Sequence, residues 1–164
     1  MKTFLNWKRG IFSNTYRIFS DNSQVGKLKE KAWTQSADGE LNGKKYSFKT
    51  KGLFKQETQI IDSESGSLIG KITYNSWKTK ARIEYSGKVV NWKYNNAWNT
   101  KWSLFNSEGI HIHYHGSSIK GNMESDNQND MLALAGLYIT NYYWEMSIPI
   151  IIAVFIPIWL TVLN

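Results

Sequence analysis

The feature that most constrains the fold of this chain is a C-terminal helical segment that has no polar face. After the polar segment 122–130, residues 131–144 (MLALAGLYITNYYW) place apolar or aromatic groups on every side of a helix. Asp130 is a favourable N-cap for this helix. A helix that is apolar all round has to be enclosed, either by protein or by lipid. The preceding residues must therefore form the enclosure, or the helix must enter a membrane.

A second apolar segment follows Glu145. Residues 146–163 form a run of 18 residues without a charge, and a helix of that length reaches roughly 27 Å, close to the ~30 Å of a bilayer's hydrocarbon core. Aromatic residues lie at both ends of the segment, as expected of a membrane span: Tyr142, Tyr143 and Trp144 before it and Trp159 near its end. The sequence therefore predicts a C-terminal membrane anchor, with a plug packed on the body or a dimer contact as the alternative.

The orientation of this anchor follows from the distribution of charge. All 20 Lys and Arg precede residue 121, so the positive-inside rule places the body on the cytoplasmic side of the membrane. Residues 1–9 lack the apolar stretch of a secretory signal peptide. We therefore expect a membrane localisation with the body facing the cytoplasm.

The body before residue 121 is patterned as many short strands. Apolar and polar residues alternate, turn residues separate the runs, and proline is absent before residue 149, which suits a continuous antiparallel sheet. The alternation predicts roughly ten strands between residues 15 and 121. It places several sets of side chains on a shared face: Tyr46 with Phe48, Ile83 with Tyr85, Trp92 with Tyr94, and Trp98 with Trp102 and Leu104.

One strand-turn-strand pattern recurs along the body. Residues 16–28 and 58–72 each read as a strand, a turn bearing Asp and Ser, and a second strand that opens with apolar-Gly-Lys-apolar; residues 102–110 keep the strand and the turn. Tight turns need residues that tolerate positive φ, which explains the Asx and Gly positions. The pattern predicts repeated hairpins of one architecture, although unrelated hairpins also converge on it.

On these hairpins, of which 62–72 is the best copy, and on the helix 130–144, the chain resembles the tubby-like C-terminal domain superfamily. That superfamily includes LURP-one-related proteins and phospholipid scramblases. The resemblance covers about residues 15–144 and implies a barrel of twelve strands wrapped around one hydrophobic C-terminal helix. We accordingly expect a mainly β fold: an antiparallel tubby-like barrel of about ten to twelve strands over residues 1–144, followed by a hydrophobic tail at 145–164. The resemblance also admits lipid movement of the scramblase kind.

The charge of the body points to an anionic partner. Residues 1–120 hold 20 bases and 9 acids, a net charge of +11, whereas residues 121–164 hold four acids and no base. Basic bodies of this kind bind anionic membranes or nucleic acid, and the apolar tail favours the membrane. Four lysines share a parity in the basic segment 43–55, so a strand would place them on one face as candidate contacts to lipid headgroups: Lys45, Lys49, Lys51 and Lys55. A solvated strand face is the alternative.

Three histidines are the other candidate site. His111, His113 and His115 fall on one face of a strand, where they could ligate a transition metal, or could simply face solvent. The chain has no cysteine, which excludes disulfides, thiolate zinc sites and a cysteine nucleophile. No phosphate-binding loop or Ser/His/Asp arrangement is readable. We therefore expect neither an enzyme nor a cofactor.

The sequence thus predicts a non-enzymatic, membrane-associated barrel that binds anionic lipid or a partner at the membrane surface. Two alternatives stay open at this point. One is a soluble lipid- or nucleic-acid-binding module with its whole C-terminus inside the barrel. The other is a metal-dependent enzyme that uses the three histidines.

Overall fold

Twelve strands and one helix make up the described part of the chain. The computed structural model describes residues 2–52 and 56–162, and for residues 148–162 it describes the backbone alone. The elements are β1 (Thr3–Lys8), β2 (Thr15–Ser20), β3 (Ser23–Lys31), β4 (Ser36–Leu41), β5 (Lys44–Lys51), β6 (Glu57–Asp62), β7 (Leu68–Tyr74), β8 (Lys80–Tyr85), β9 (Lys88–Tyr94), β10 (Lys101–Phe105), β11 (His111–Gly116), β12 (Lys120–Ser125) and α1 (Asp130–Val162).

The strands close into one antiparallel barrel. Each strand pairs with its neighbours in the chain, and β1 closes the ring by pairing with β12, from Thr3 opposite Ser125 to Lys8 opposite Lys120. Closure leaves no strand edge free to pair with another molecule. The predicted fold, a mainly β antiparallel barrel of about ten to twelve strands around a C-terminal helix, is confirmed.

The alternating sequence pattern explains which side chains fill the barrel. Tyr46 and Phe48 of β5 point inward and are buried, as do Trp92 of β9 and Trp102 of β10. One assignment was wrong, because Trp98 does not share a strand face with Trp102. It lies in the turn between β9 and β10 and is 86% exposed.

The repeated hairpins are built alike. In β2–β3 the register shifts between Ile18 and Phe19, and in β6–β7 it shifts at the equivalent place, between Ile60 and Ile61. The residues opposite Ile18 and Ile60 are the repeated glycines, Gly26 and Gly70.

Both glycines lie where the next strand approaches closely. A Cβ on Gly26 would overlap the carbonyl oxygen of Glu40, and one on Gly70 would lie 3.0 Å from that of Glu84. The apolar-Gly-Lys pattern therefore marks a bulge where the neighbouring strand comes too close for a side chain at Gly26 and leaves little room for one at Gly70.

The helix occupies the interior of the barrel. All side chains from Asp130 to Tyr143 are buried, and those of residues 144–147 are partly exposed. The indole Nε1 of Trp92 donates to the carbonyl of Gly136 over 3.2 Å, and the ring of Tyr138 stacks on Phe48 with centroids 4.7 Å apart. The burial ends beside Trp144, where the sequence predicted that the enclosed helix would end, but the helix itself continues to Val162.

Antiparallel closure sorts the loops onto two ends of the barrel, which we name by the path of the helix. The entry end comprises residues 21–22, 42–43, 63–67, 86–87, 106–110 and 126–129. The exit end comprises residues 9–14, 32–35, 75–79, 95–100 and 117–119, together with Gly52 and Gln56. At the entry end, Asn42 donates to the first helical residue, Asp130, over 2.8 Å. At the exit end, Lys78 donates to the carbonyl of Met146 over 2.8 Å.

The predicted membrane anchor lies almost wholly outside the side chains that the structure describes. Only Met146 and Ser147 of the segment 146–163 are inside that set. Within the described set, no helical segment combines the length and the apolar character needed to cross a membrane.

Candidate functional site at the exit of the barrel

The exit end is where the helix leaves the barrel, and exit-loop side chains hold it there. The amide Nε2 of Gln35 lies 2.9 Å from the sulfur of Met146, and Lys78 binds the Met146 carbonyl. The hydroxyl of Tyr143 donates to the carbonyl of Lys80 over 2.5 Å, and that of Tyr142 donates to Gln56. The helix is therefore fixed at the level of residues 142–146, where its burial ends.

Tyr142 and Tyr143 have a different environment from the one that the sequence suggested. Both are buried among barrel aromatics, with Tyr142 stacked on Tyr74 at 4.1 Å and Tyr143 5.4 Å from Trp92. Trp144 is partly exposed and meets Trp102 edge-on at 5.7 Å. Two of the three aromatic residues assigned to a lipid interface thus pack against protein.

A buried polar cluster joins the barrel wall to the helix just inside the exit. One guanidinium nitrogen of Arg9, Nη1, lies 2.9 Å from Tyr16 Oη, 3.0 Å from Glu30 Oε1 and 3.1 Å from Asn141 Oδ1. The Tyr16 hydroxyl donates to the same Asn141 oxygen over 2.7 Å. The contacts link β2, β3 and α1 through the first exit loop, which contains Arg9, and therefore set the rotation of the helix in the lumen.

The environment of the cluster moves the pKa of the Glu30 carboxyl into a range that a pH titration can reach. Burial, together with the neighbouring carboxylate of Glu145, raises the pKa of Glu30 to about 8, against the opposing effect of Arg9. Burial also raises the pKa of Tyr16 well above its ordinary value. The proton affinity of Glu30 consequently depends on the position of the helix residue Glu145.

Hydroxyl groups form a second link between wall and helix. The Tyr138 hydroxyl lies 2.6 Å from Thr50 Oγ1 and donates to the backbone carbonyl of Gln35 over 2.6 Å. Thr50 in turn contacts Thr58 at 2.7 Å, and Thr58 contacts Tyr74 at 2.5 Å. These bonds satisfy polar groups that burial would otherwise leave without partners.

An open cleft of about 450 Å³ lies beside the polar cluster. Its lining includes both carboxylates of the site, together with one lysine, one tryptophan and two amides: Glu30, Glu145, Lys31, Trp33, Gln35 and Gln56. The arrangement offers hydrogen-bonding groups and two carboxylates at the rim of the barrel.

The predicted lysine row lies on the outer wall of the barrel, away from the lumen. Lys45, Lys49 and Lys51 are exposed on β5, as their shared parity predicts, and Lys55 lies outside the described residues. Lys45 faces Glu40 on β4, and Lys51 faces Glu57 on β6. Acidic residues therefore flank the row at two places, which the sequence pattern alone did not reveal.

The three histidines lie on the outer face of β11. His111, His113 and His115 are exposed while Ile112 and Tyr114 point inward, so the predicted face assignment is confirmed. Across the described ranges, no group of three or more His, Cys, Asp or Glu residues is arranged to hold a metal ion.

An acid of the next strand lies beside the histidines. Glu124 of β12 is the cross-strand partner of His113, and it is paired with Lys2 over 2.6 Å.

Sequence reasoning missed the polar cluster, although two signals mark it. Glu30 continues the inward alternation of Leu28 on β3, so a charged residue there is either buried or disruptive. Asn141 is the most polar side chain in the otherwise apolar run 131–144. A buried charge and a buried amide need partners, and Arg9 is the base that meets both.

Comparison with known proteins adds no identification. No family model, no curated protein and no solved structure matches the chain.

Proposed function

We propose that the chain is a non-enzymatic, membrane-anchored β-barrel that acts at the surface of an anionic membrane, by binding its lipids or by presenting the barrel to a partner there. The observation that carries this proposal is the path of α1. The helix fills the lumen as far as Tyr143, and its backbone continues from the exit end to Val162. The charge-free segment 146–163 begins where that burial ends.

The helix already fills the lumen, so the apolar tail needs a different environment. Residues 130–143 bury their side chains on all sides, and 14 residues of helix span about 21 Å. Because the helix is continuous, residues 148–162 lie beyond the exit on the same helix. An apolar segment that has left its protein enclosure is stabilised by lipid or by another protein, and the absence of charge over 18 residues favours lipid.

Membership of the tubby-like superfamily is part of this proposal. It is supported by the closed barrel of twelve antiparallel strands and by the single apolar helix inside it. The residues through which tubby-like proteins contact headgroups have no counterpart that can be assigned here. Lipid binding is therefore argued from the charge of this body alone.

The proposed side of the membrane is the cytoplasmic one, with the barrel facing the cytoplasm. All 20 bases of the sequence lie on the N-terminal side of the apolar tail, which is the side that the positive-inside rule associates with the cytoplasm. The inner leaflet is also the anionic one, and a body of net charge +11 over residues 1–120 is attracted to it.

Extraction and flotation test the proposal. Full-length protein in membranes should stay in the pellet after an alkaline carbonate wash, and should float with liposomes that contain phosphatidylserine. A variant that ends at Glu145 should be released by the wash, with its near-ultraviolet circular dichroism showing that the barrel is still packed. Full-length protein found mainly in the soluble fraction would overturn the anchor.

A further inference from the structure

The exit end carries most of the exposed apolar surface of the barrel. Among the described residues, eight large hydrophobic side chains are exposed, and six of them lie in exit loops: Ile11, Phe12, Trp33, Trp77, Trp98 and Ile119. The three tryptophans are 85–102% exposed. The other two residues, Phe4 and Leu68, lie in strands. Exposed apolar side chains gathered on one end of a barrel mark an interaction surface.

The two ends also differ in charge. Over their described residues, the exit loops contain two bases, Arg9 and Lys78, and no acid. The entry loops contain four acids and no base: Asp21, Glu64, Glu108 and Asp126. The loops therefore give the barrel an axis, with an apolar, basic exit end and a polar, acidic entry end.

The terminal residues of the strands add to the positive charge of the exit end. Six of the twelve strands have an exposed lysine as their terminal residue at the exit end: Lys8, Lys31, Lys51, Lys80, Lys101 and Lys120. Within the described ranges, only Lys31 of these six forms an ion pair, with Asp38 at 3.0 Å. A ring of lysines thus surrounds the exposed aromatic residues.

The helix leaves through the centre of this ring without a spacer. The apolar segment begins at Met146, and Lys78 of an exit loop binds the carbonyl of that residue at 2.8 Å. If the segment enters a bilayer, the exit loops are brought to the level of the headgroups, because no linker separates them from it. The exposed tryptophans and the lysine ring then meet the interfacial region, where Trp is enriched and Lys is attracted to anionic lipid.

From this arrangement we infer that the exit end docks end-on into the interfacial region of an anionic phospholipid bilayer, with the barrel standing upright on the membrane. The inference rests on the proposed function, since it takes residues 146–163 to be the anchor. It adds the surface that meets the lipid and the orientation of the barrel.

End-on docking makes a different prediction from contact through the lysine row of β5. Lys45 and Lys51 are six residues apart in one strand, roughly 20 Å along it. A flat membrane that touches the exit end reaches Lys51, at the end of the strand, and leaves Lys45 well above the headgroups. Side-on docking would bring Lys45 and Lys49 into contact as well.

Spin labels on single cysteines separate these geometries, and the cysteine-free chain needs no background changes. Labels replace exposed residues in the full-length protein, bound to liposomes of phosphatidylcholine with phosphatidylserine. The exit-end set is Thr34→Cys, Ser76→Cys, Ala97→Cys and Ser118→Cys; the wall label is Lys45→Cys, far from the exit end of β5; the matched entry-end controls are Glu64→Cys and Ser107→Cys. Each label is read by its collision rates with oxygen, which concentrates in lipid, and with a water-soluble nickel chelate.

End-on docking predicts that membrane binding lowers the nickel collision rate of all four exit-end labels at least threefold, and leaves the wall and entry-end labels unchanged. Exit-end labels that stay as accessible to nickel as the controls, on protein that floats and resists carbonate, would overturn the docking and keep the anchor. Shielding of the wall label would overturn it in favour of side-on contact. Protein that does not float at all overturns both proposals.

The charge of the lipid is a separate arm of the same experiment. Each lysine near an anionic surface strengthens binding about fivefold at low salt. The exit loops adjoin the anchor without a linker, so they stay at headgroup level on neutral lipid as well, and the anionic preference is read from partitioning instead. Full-length protein offered both kinds of liposome should favour those with phosphatidylserine, and the preference should fade as the salt is raised. Equal partitioning between neutral and anionic liposomes at low salt would overturn the assignment to an anionic surface.

Discussion

The contact between Gly136 and Tyr114 gives the most direct prediction about the packing of the helix inside the barrel. A Cβ at position 136 would overlap the Tyr114 hydroxyl oxygen and would lie 2.5 Å from the ring carbon that bears it. Tyr114 has little freedom to move. It is 2% exposed, stacks on Trp102 at 5.5 Å, and has its hydroxyl 3.1 Å from the carbonyl of Ala133. Gly136→Ala should therefore destabilise the protein.

The magnitude follows from three opposing effects. In a free helix, Gly→Ala stabilises by about 1 kcal/mol. In this lumen, overpacking costs about 1–3 kcal/mol, and the displaced hydroxyl costs a further 1–3 kcal/mol if it loses its carbonyl partners. We expect a net loss of about 3 kcal/mol. For a chain of 164 residues, 1 kcal/mol shifts Tm by about 2–4 °C, so Tm should fall by about 6–12 °C.

Thermal unfolding of the full-length protein in detergent, followed by circular dichroism, measures this effect. The control is Gly10→Ala, whose added Cβ would have only an ordinary contact of 3.4 Å with Ser13, so its Tm should change little. Adding Tyr114→Phe to Gly136→Ala should recover part of the loss, because the hydroxyl is the atom that is overlapped. A rise in Tm on Gly136→Ala would refute the packing of the helix against β11.

Three further predictions concern the core, the exit cluster and the hairpin glycines. Leu137→Asp should prevent folding, because an ionised carboxylate at a fully buried position costs several kcal/mol; an unchanged Tm would mean that the helix is not enclosed. Between about pH 5 and pH 8 the folded protein still holds a proton on Glu30 that the unfolded chain has already released, because burial raises the pKa of Glu30 to about 8. Stability should therefore fall as the pH rises through that window. In urea titrations Glu30→Gln should flatten that dependence, and an unaltered slope would contradict the raised pKa. Gly26→Ala should lower the free energy of unfolding by about 1–3 kcal/mol in the same assay, since the Cβ would overlap the Glu40 carbonyl; no change would contradict the close approach of the strands.

The architecture was predictable because alternation and burial are local properties of the sequence. Inward residues such as Phe48 and Trp92 followed from the period of two. The helix followed from its lack of a polar face. Its predicted N-cap was one residue off: Asp130 is already helical, and the capping side chain is Asn129, whose Oδ1 accepts from the Leu132 N–H over 3.0 Å. Trp98 was assigned wrongly because the period-two pattern was extended from β10 back into the preceding residues. The backbone turns between β9 and β10, so the strand periodicity does not apply there.

The exit cluster was not predictable, because it depends on contacts between distant parts of the chain. Arg9 and Asn141 are 132 residues apart and meet only when the barrel closes around the helix. The difference in polarity between the two barrel ends was predictable in part. Each loop can be read from the sequence, but which loops share an end depends on the order of the strands.

Amide hydrogen exchange on the full-length protein, in detergent and on phosphatidylserine-containing liposomes, tests the central claim most directly. The account predicts slow exchange throughout residues 131–143 in both states, because the helix is enclosed by the barrel. On liposomes the exit loops 9–14, 32–35, 75–79 and 95–100 should gain protection, while the entry loops 63–67 and 106–110 should exchange as they do in detergent. Fast exchange in 131–143, or equal protection of both sets of loops on liposomes, would contradict a barrel that encloses its helix and stands on the membrane by its exit end.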